Sequence, residues 1–249
     1  IIVVYVHRHT GRFLFVEGLY RSMRIPGDLA VDIIKKGTPL LANELLWSLG
    51  MTTLTQIFST RGLNVVAGLN IASTITNLFN VVVFSMGTAV AVMVGQALGA
   101  GDIPGAKRTT WRLIFLSICI SIVFGGALAG LSPFIPYLYN TTGEVRMMAT
   151  RFMMTSAMYM GFNAVCHSSY FAIRSGGKTF ITFLFDSVYT WLILVPYTYA
   201  LTHFTALDIL VLYPVCYLAD IIKCIIGIAI VKSGYWARNM VSDNSLKDS

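Results

Sequence analysis

The sequence predicts an all-α fold in which about five or six helices cross a lipid bilayer as one transmembrane bundle. Apolar residues make up 56% of the 249 residues and charged residues only 12%, whereas a soluble domain carries about 25% charged residues. The mean hydropathy is +0.72. Apolar stretches long enough to cross a bilayer core of about 30 Å recur between short polar breaks, and they are too long for the strands of a membrane barrel.

Six spans follow in chain order from these stretches. The first two contain many hydroxyl and amide side chains, so their ends are the least sharply marked. Gly37 and Pro39 open the first span, because proline is tolerated in the first turn of a helix, and Pro133 with Pro136 limits extension after the third. The predicted spans are residues 38–59, 66–96, 110–136, 146–173, 179–202 and 206–231.

Three regions are predicted along the chain. Residues 1–36 are interpreted as the tail of a preceding helix followed by a basic cytoplasmic linker, because residues 1–6 are apolar but too short to cross a bilayer. A short amphipathic run, Asp28 to Lys36, fits the inner membrane surface. Residues 37–232 form the six-helix lobe, and residues 233–249 form a cytoplasmic tail.

The formal net charge of +7 is explained by the orientation of the spans in the membrane. When the linker and the carboxy terminus are placed in the cytoplasm, most of the 18 basic residues lie on the inner side. Only Arg61, Arg146 and Arg151 then lie outside, and Lys223 lies within a span. This distribution obeys the positive-inside rule, so we expect a multi-pass protein of the cell membrane and no nucleic-acid partner.

Three of the predicted helices carry polar residues at steps of three and four, which places those residues on one helix face. The three stripes are Glu44, Ser48, Thr52, Thr55 and Ser59 in the first span, Asn70, Ser73, Thr74, Asn77 and Asn80 in the second, and Ser156, Tyr159, Asn163, His167 and Tyr170 in the fourth. A single Ser, Thr or Asn in a membrane helix is more often bonded to a neighbouring helix. Three stripes in one chain favour a water-filled cavity.

Ionisable side chains within the spans are the strongest functional signal, because an uncompensated charge at the bilayer centre costs at least about 2.5 to 3.5 kcal/mol. Glu44 has no basic partner nearby in the sequence, so its carboxylate is a candidate to accept a proton or to help bind Na⁺. Asp220 and Lys223 lie three residues apart in the sixth span, where they are predicted to form an ion pair on one helix face.

Asp186 lies near the inner end of the fifth span, and its predicted partner is Lys178 or Arg174. Transport chemistry is the less favoured interpretation of this carboxylate.

No enzyme or metal signature accompanies these residues. The four cysteines, Cys119, Cys166, Cys216 and Cys224, lack the paired spacing of zinc and redox sites and are interpreted as packing residues. His167 is interpreted as a hydrogen-bonded packing residue, with cavity lining as its alternative. The glycine-rich turn before Lys107 lacks the residues of a phosphate-binding loop, and no protease, hydrolase or dinucleotide motif is present. We therefore expect no enzymatic activity, no metal and no cofactor.

Several short motifs recur in a characteristic order. They are Gly37-Thr38-Pro39-Leu40, Leu46-Trp47-Ser48-Leu49-Gly50, Gly95-Gln96-Ala97-Leu98-Gly99-Ala100-Gly101-Asp102 with Ala106-Lys107-Arg108, and Ile173-Arg174-Ser175-Gly176-Gly177-Lys178-Thr179 with Trp191 and Pro196 downstream. Each motif alone is weak. In this order and spacing they resemble the carboxy-terminal six-helix lobe of the multidrug and toxic compound extrusion (MATE) family.

The resemblance implies a fold of two six-helix lobes that are related by a pseudo-two-fold axis along the membrane normal, with the substrate between them. Such transporters exchange inward Na⁺ or H⁺ for outward movement of amphipathic, often cationic compounds by alternating access. The implied partners are a small-molecule substrate, membrane lipid, and an amino-terminal lobe or a second copy that completes the cavity.

The resemblance carries over imperfectly to the site. Family members often have a functional acid in the first helix of this lobe, and Glu44 lies about one turn before that position, where Trp47 or Ser48 stands. Asn163 aligns with an acid of the fourth helix in some members, and its amide cannot exchange a proton. Coupling therefore belongs to Glu44 or to the other lobe. The candidate substrate or coupling-ion residues are Glu44, Trp47, Ser48, Asn77, Tyr159, Asn163 and His167.

Two other functions remain open at this stage. A lipid-linked precursor flippase of the same broad superfamily fits the basic inner surface but calls for a basic cavity. A membrane scaffold or assembly subunit that transports nothing predicts that the polar stripes pack against each other without water.

Overall fold

Six long helices make up most of the computed structural model, which describes residues 5–6 and 27–237. The helices are α1 (Gly27–Ser59), α2 (Leu63–Gly99), α3 (Ile103–Leu131), α4 (Gly143–Ser175), α5 (Thr179–Phe204) and α6 (Ile209–Ser233), with a short 3₁₀ turn at Ile135–Leu138 between α3 and α4. No strand occurs in the described part of the chain. The predicted all-α, six-helix fold class is therefore confirmed.

The chain divides into two compact units, Ile1–Leu41 and Ala42–Ser249. In the first unit the described residues are helical, and residues 7–26 of the predicted linker lie outside the described range. In the second unit, residues 238–249 of the predicted tail lie outside it as well. All contacts described below belong to the second unit.

Four of the described helices, α2, α3, α5 and α6, are long and apolar enough to cross a membrane. Helices α1 and α4 are long enough but more polar, because they carry two of the three polar stripes. Helix α4 packs against α2, α3 and α6, so many of its polar side chains, including Ser168 and Ser169, are buried in the bundle. A polar helix is thus kept from lipid by its neighbours.

Two helix boundaries differ from the sequence prediction. Helix α1 begins at Gly27 and continues through Pro39, where the prediction opened the first span near residue 38. Helix α3 covers Ile103–Leu131 rather than residues 110–136. It begins earlier because the carboxylate of Asp102 accepts a hydrogen bond from the Gly105 amide at 2.8 Å, which caps the first turn. It ends before Pro133, which cannot donate a helical hydrogen bond.

Glycines allow the neighbours of α4 to approach it closely. A Cβ atom on Gly87 of α2 would lie 2.4 Å from the ring of Phe171, and one on Gly125 of α3 would lie 2.8 Å from the carbonyl oxygen of Ala157. Side chains larger than glycine would force these helices apart. Such small-residue contacts are the usual basis of helix packing in membranes.

The end of α6 is fastened to the bundle by Trp236. Its side chain is completely buried among α2, α3 and α4 residues, and its indole Nε1 donates to the Val231 carbonyl oxygen at 3.0 Å. The chain turns back at Gly234, whose φ of 67° is left-handed and favours glycine. The ring of the next residue, Tyr235, lies 4.2 Å from the ammonium of Lys178.

Replacing Trp236 with alanine should therefore destabilise the protein. We expect a loss of about 3 to 5 kcal/mol, the range for truncation of a buried tryptophan, measured as a lower thermal unfolding midpoint in detergent. Trp111→Ala is the matched control, because Trp111 is 42% exposed. Equal midpoints for the two variants would show that Trp236 does not fasten the end of α6.

Candidate functional site

A cavity of about 440 Å³ opens between five of the helices. Helices α1, α2, α4, α5 and α6 all contribute to its wall, and its size lies within the range of small-molecule sites. The lining side chains are Glu44, Trp47, Met51, Leu54, Thr55, Phe58, Leu69, Asn70, Ser73, Thr76, Asn77, Asn80, Phe84, Ser156, Asn163, Cys166, His167, Tyr170, Phe171, Phe185, Asp186, Thr190, Leu194, Thr198, Tyr213, Cys216, Tyr217, Asp220 and Lys223. The wall thus combines aromatic surface with a few polar and ionisable groups.

Most of the residues singled out from the sequence meet at this cavity. Its described wall includes Glu44, Trp47, Asn77, Asn163 and His167, together with both members of the predicted ion pair. The roles assigned to them remain predictions, but their side chains, which come from different helices, lie around one space.

Ser48 and Tyr159 are not among the described lining residues. Ser48 lies at the edge of the α1 face that includes Glu44, and it is exposed. The ring of Tyr159 lies 5.2 Å from that of Tyr217, so it packs against a lining residue. Their predicted roles in binding stay predictions, and a stripe drawn at steps of three and four is wider than the strip of helix that a cavity of this size touches.

The α2 stripe lies exposed along the cavity. Asn70, Ser73 and Asn77 are exposed, and the Ser73 hydroxyl donates to the carbonyl oxygen of Asn70 at 3.1 Å. Serine and threonine hydroxyls bonded to their own helix need no partner from a neighbouring helix. The amide of Asn77 makes no hydrogen bond among the described residues, so it is free to meet water or a ligand.

Glu44 has a basic neighbour that the sequence did not suggest. Its Oε1 lies 3.4 Å from Nη1 of Arg174 and accepts a hydrogen bond from the Tyr170 hydroxyl, also at 3.4 Å. The Glu44 side chain is 56% exposed and that of Arg174 is 34% exposed. At such distances and exposure an ion pair contributes little to stability, so Glu44 remains accessible to a cation or a proton.

Asn43 extends this contact into the interior. Its Nδ2 donates to the Tyr170 hydroxyl at 3.2 Å and to Oδ2 of Asp186 at 3.4 Å. Its Oδ1 accepts from the Ser187 hydroxyl at 2.7 Å, which sets the orientation of the amide. Asn43 is 2% exposed, and sequence analysis missed it because it lies beside the stripe headed by Glu44. The sequence feature that could have identified Asn43 is its amide, which follows the apolar residues Leu40, Leu41 and Ala42.

Asp186 pairs with Lys223, whose Nζ lies 2.7 Å from Oδ1. The predicted pairs of Lys223 with Asp220, and of Asp186 with Lys178 or Arg174, are not found within 4 Å among the described residues. Asp186 lies in one of two π-helical turns of α5, Leu184–Val188 and Thr190–Leu194. Each such turn holds an extra residue and rotates the helix face, so regular helical spacing could not place this side chain.

Together these contacts form one polar chain of six residues, four of which line the cavity. It runs in the order Arg174, Glu44, Tyr170, Asn43, Asp186 and Lys223. The lining residues include three carboxylates and one ammonium group, and the guanidinium of Arg174 pairs with one of these carboxylates. Together these groups carry a formal charge of one negative when His167 is neutral. A cavity of this sign within low-dielectric walls concentrates cations.

No group of three or more His, Cys, Asp or Glu side chains that could hold a metal occurs in residues 5–6 and 27–237. Cys166 is bonded instead to the chain of α6, with its Sγ 3.8 Å from the carbonyl oxygen of Asp220. The described cysteines are all free thiols that form no disulfide.

The MatE family model matches residues 39–200 of this chain. The Bacillus subtilis (strain 168) protein named "Probable multidrug resistance protein YoeA" is 25% identical over 216 residues, which cover 84% of this chain and 45% of that protein. The multidrug resistance protein MdtK of Yersinia enterocolitica is 27% identical over 145 residues, which cover 58% of this chain and 32% of that protein. The chain thus spans less than half the length of these relatives.

Solved structures share the fold. A crystal structure of MATE in the straight conformation superposes with a TM-score of 0.78 at 18% identity, over 99% of this chain and 55% of that one. A MOP superfamily transporter from Pyrococcus furiosus superposes with a TM-score of 0.76 at 18% identity, over 86% of this chain and 48% of that one.

The contacts of Asn43 in the polar chain predict that its loss lowers the free energy of unfolding. Asn43→Ala removes a donor from Asp186 and from the Tyr170 hydroxyl, whereas the Ser187 hydroxyl keeps the main-chain carbonyl oxygen of residue 43 as its acceptor at 2.9 Å. We expect a loss of about 1 to 3 kcal/mol, the cost of leaving buried polar groups without a partner. Asn140→Ala is the matched control at an exposed amide. Thermal unfolding in detergent measures both variants, and an Asn43→Ala midpoint equal to that of the control would show that the network does not stabilise the lobe.

Proposed function

This chain belongs to the MatE family, and we propose that it is one half of a cation-coupled efflux antiporter that exports amphipathic, often cationic compounds by alternating access. The observation that supports this most directly is the cavity of about 440 Å³ with three carboxylates and one ammonium group in its wall. A net negative, partly aromatic cavity favours an organic cation over an anion.

A second lobe is part of the proposal. The chain covers 45% of the length of the Bacillus relative, and the α2 stripe that lines the cavity is exposed, so the cavity is open on that side. An amino-terminal lobe or a second copy of this chain would cover that side. Rocking of one lobe against the other would then expose the cavity to the two sides of the membrane in turn.

We propose Glu44 as the carboxylate that couples transport to Na⁺ or H⁺. Of the two carboxylates in the polar chain, that of Glu44 is the more exposed. Its contacts with Arg174 and Tyr170 are both long, at 3.4 Å. A cation or proton that reaches Glu44 would weaken its attraction to a cationic substrate. By linkage, the substrate would weaken binding of the ion to the same extent.

Trp47 and His167 would complete the substrate site. Trp47 is one turn from Glu44 and presents an aromatic ring to the cavity, where a cation gains from the ring face. The ring of His167 lies 5.0 Å from that of Phe84, so this part of the wall is aromatic. Asn77 and Asn163 would supply neutral hydrogen-bonding groups.

The orientation in the membrane is also proposed. Lys107 and Lys178 lie near the helix ends that would face the cytoplasm, and Arg146 and Arg151 near the opposite ends. With the linker and carboxy terminus inside, this arrangement follows the positive-inside rule.

The cavity gives less support to the other two functions. A flippase for an anionic lipid-linked precursor calls for basic groups in the wall, whereas Lys223 is the sole Lys or Arg among the described lining residues. A scaffold with dry polar stripes calls for buried stripe residues, whereas Glu44, Asn70 and Asn77 are exposed.

Substitution of Glu44 tests the coupling role. In the assembled two-lobe protein, Glu44→Gln should lower the efflux of a fluorescent cationic dye by about tenfold, within the range of coupling between two ligand sites. It should also abolish the dependence of efflux on an imposed Na⁺ or H⁺ gradient, since glutamine carries neither charge nor an exchangeable proton.

The matched control is Glu144→Gln. Glu144 is exposed at the start of α4 and bonded to Asn64 at 2.8 Å, away from the cavity, so this variant should keep full efflux. Unchanged gradient dependence in Glu44→Gln would remove Glu44 from the mechanism.

A further inference from the structure

Lys223 is a partly buried cation in the middle of a membrane helix. It lies in α6 with only 14% of its side chain exposed, far from the helix ends where long basic side chains reach water. A charge in such a place is unfavourable unless it is compensated. The position of Lys223 therefore depends on the groups that surround its ammonium.

One carboxylate and two aromatic rings surround that ammonium. Oδ1 of Asp186 lies 2.7 Å from Nζ, and the ring centroids of Phe185 and Tyr189 lie 5.4 and 5.9 Å away. A carboxylate combined with aromatic faces is the arrangement with which proteins recognise organic ammonium ions. The chain thus builds an ammonium site and fills it with its own lysine.

The site is held in place without help from Lys223. The other oxygen of Asp186 accepts a hydrogen bond from Asn43 at 3.4 Å, and Asn43 is itself anchored by Ser187. The hydroxyl of Tyr189 donates to the carbonyl oxygen of Ala219 at 2.5 Å, which fixes one ring. Removing the ammonium would therefore leave a shaped and charged site rather than a collapsed one.

We propose that Lys223 is a tethered counter-cation that keeps the Asp186 site closed to exchangeable monovalent cations. With the ammonium in place the pair is neutral, so a second cation gains nothing from Asp186. The exchangeable coupling ion is then directed to the accessible carboxylate of Glu44. This inference rests on the proposed function for its role in transport, but the cation site itself is tested without transport.

The test is to remove the ammonium and to look for a gain of cation binding. Lys223→Met keeps an unbranched, mostly apolar side chain and leaves Asp186 without a counter-charge. The purified chain is unfolded thermally in detergent at constant ionic strength in methylammonium, Na⁺, or the bulky N-methyl-D-glucamine ion as reference. We expect methylammonium to raise the midpoint of Lys223→Met by about 3 to 6 °C at ten times its Kd, and Na⁺ to raise it less.

The native chain should show no difference between these cations. Lys232→Met is the matched control, because Lys232 is an exposed lysine of the same helix, and it should behave like the native chain. The double variant Asp186→Asn with Lys223→Met should lose the response, which would assign the site to that carboxylate.

Two results would overturn the proposal. One is a Lys223→Met midpoint that is the same in all three cations. The other is a native chain that methylammonium stabilises as strongly as the variant, because Lys223 would then not close the site. If Lys223→Met does not fold, Lys223→Gln removes the same charge while keeping a polar contact to Asp186. Its unfolding midpoints in the three cations then test the proposal in the same way.

Cation binding by these variants is independent of dye efflux. A failure of the proposed transport function would leave the methylammonium response intact. A missing methylammonium response would leave the Glu44 prediction standing.

Discussion

The absence of water in the bilayer core is the constraint on which this structure depends. Every polar or charged group within the spans must find its partner in the protein or face a cavity. The pair of Asp186 with Lys223 at 2.7 Å meets this demand for two ionisable groups, and Asn43 links it to the rest of the bundle. The amide of Asn77, which has no such partner among the described residues, lies in the wall of the cavity.

The same constraint accounts for the arrangement of the helices. Helix α4 is too polar to face lipid, so it lies among α2, α3 and α6, and glycines such as Gly87 and Gly125 allow those helices to approach. Its remaining polar face, with Asn163, His167 and Tyr170, forms part of the cavity wall. The fold and the candidate site therefore follow from one requirement, which is to keep polar helix faces away from lipid.

Much of this could be predicted from the sequence, because hydropathy and helical spacing are local properties. Apolar length predicted six helices, and the spacing of Glu44, Asn163 and His167 placed them on faces that meet at the cavity. The pairing of Asp186 could not be predicted, since the two π turns of α5 change which side of the helix it faces. Partners from distant helices, such as Arg174 for Glu44, depend on packing that no local pattern contains.

We propose that this chain supplies one half of a cation-accepting transport cavity. The most direct test of this proposal is the efflux of a fluorescent cationic dye from cells that produce this chain alone and, separately, the chain joined to a matching amino-terminal lobe. We expect gradient-driven efflux by the joined protein, or by the chain alone if two copies complete the cavity. Absence of efflux from both, with both proteins present in the membrane, would contradict it.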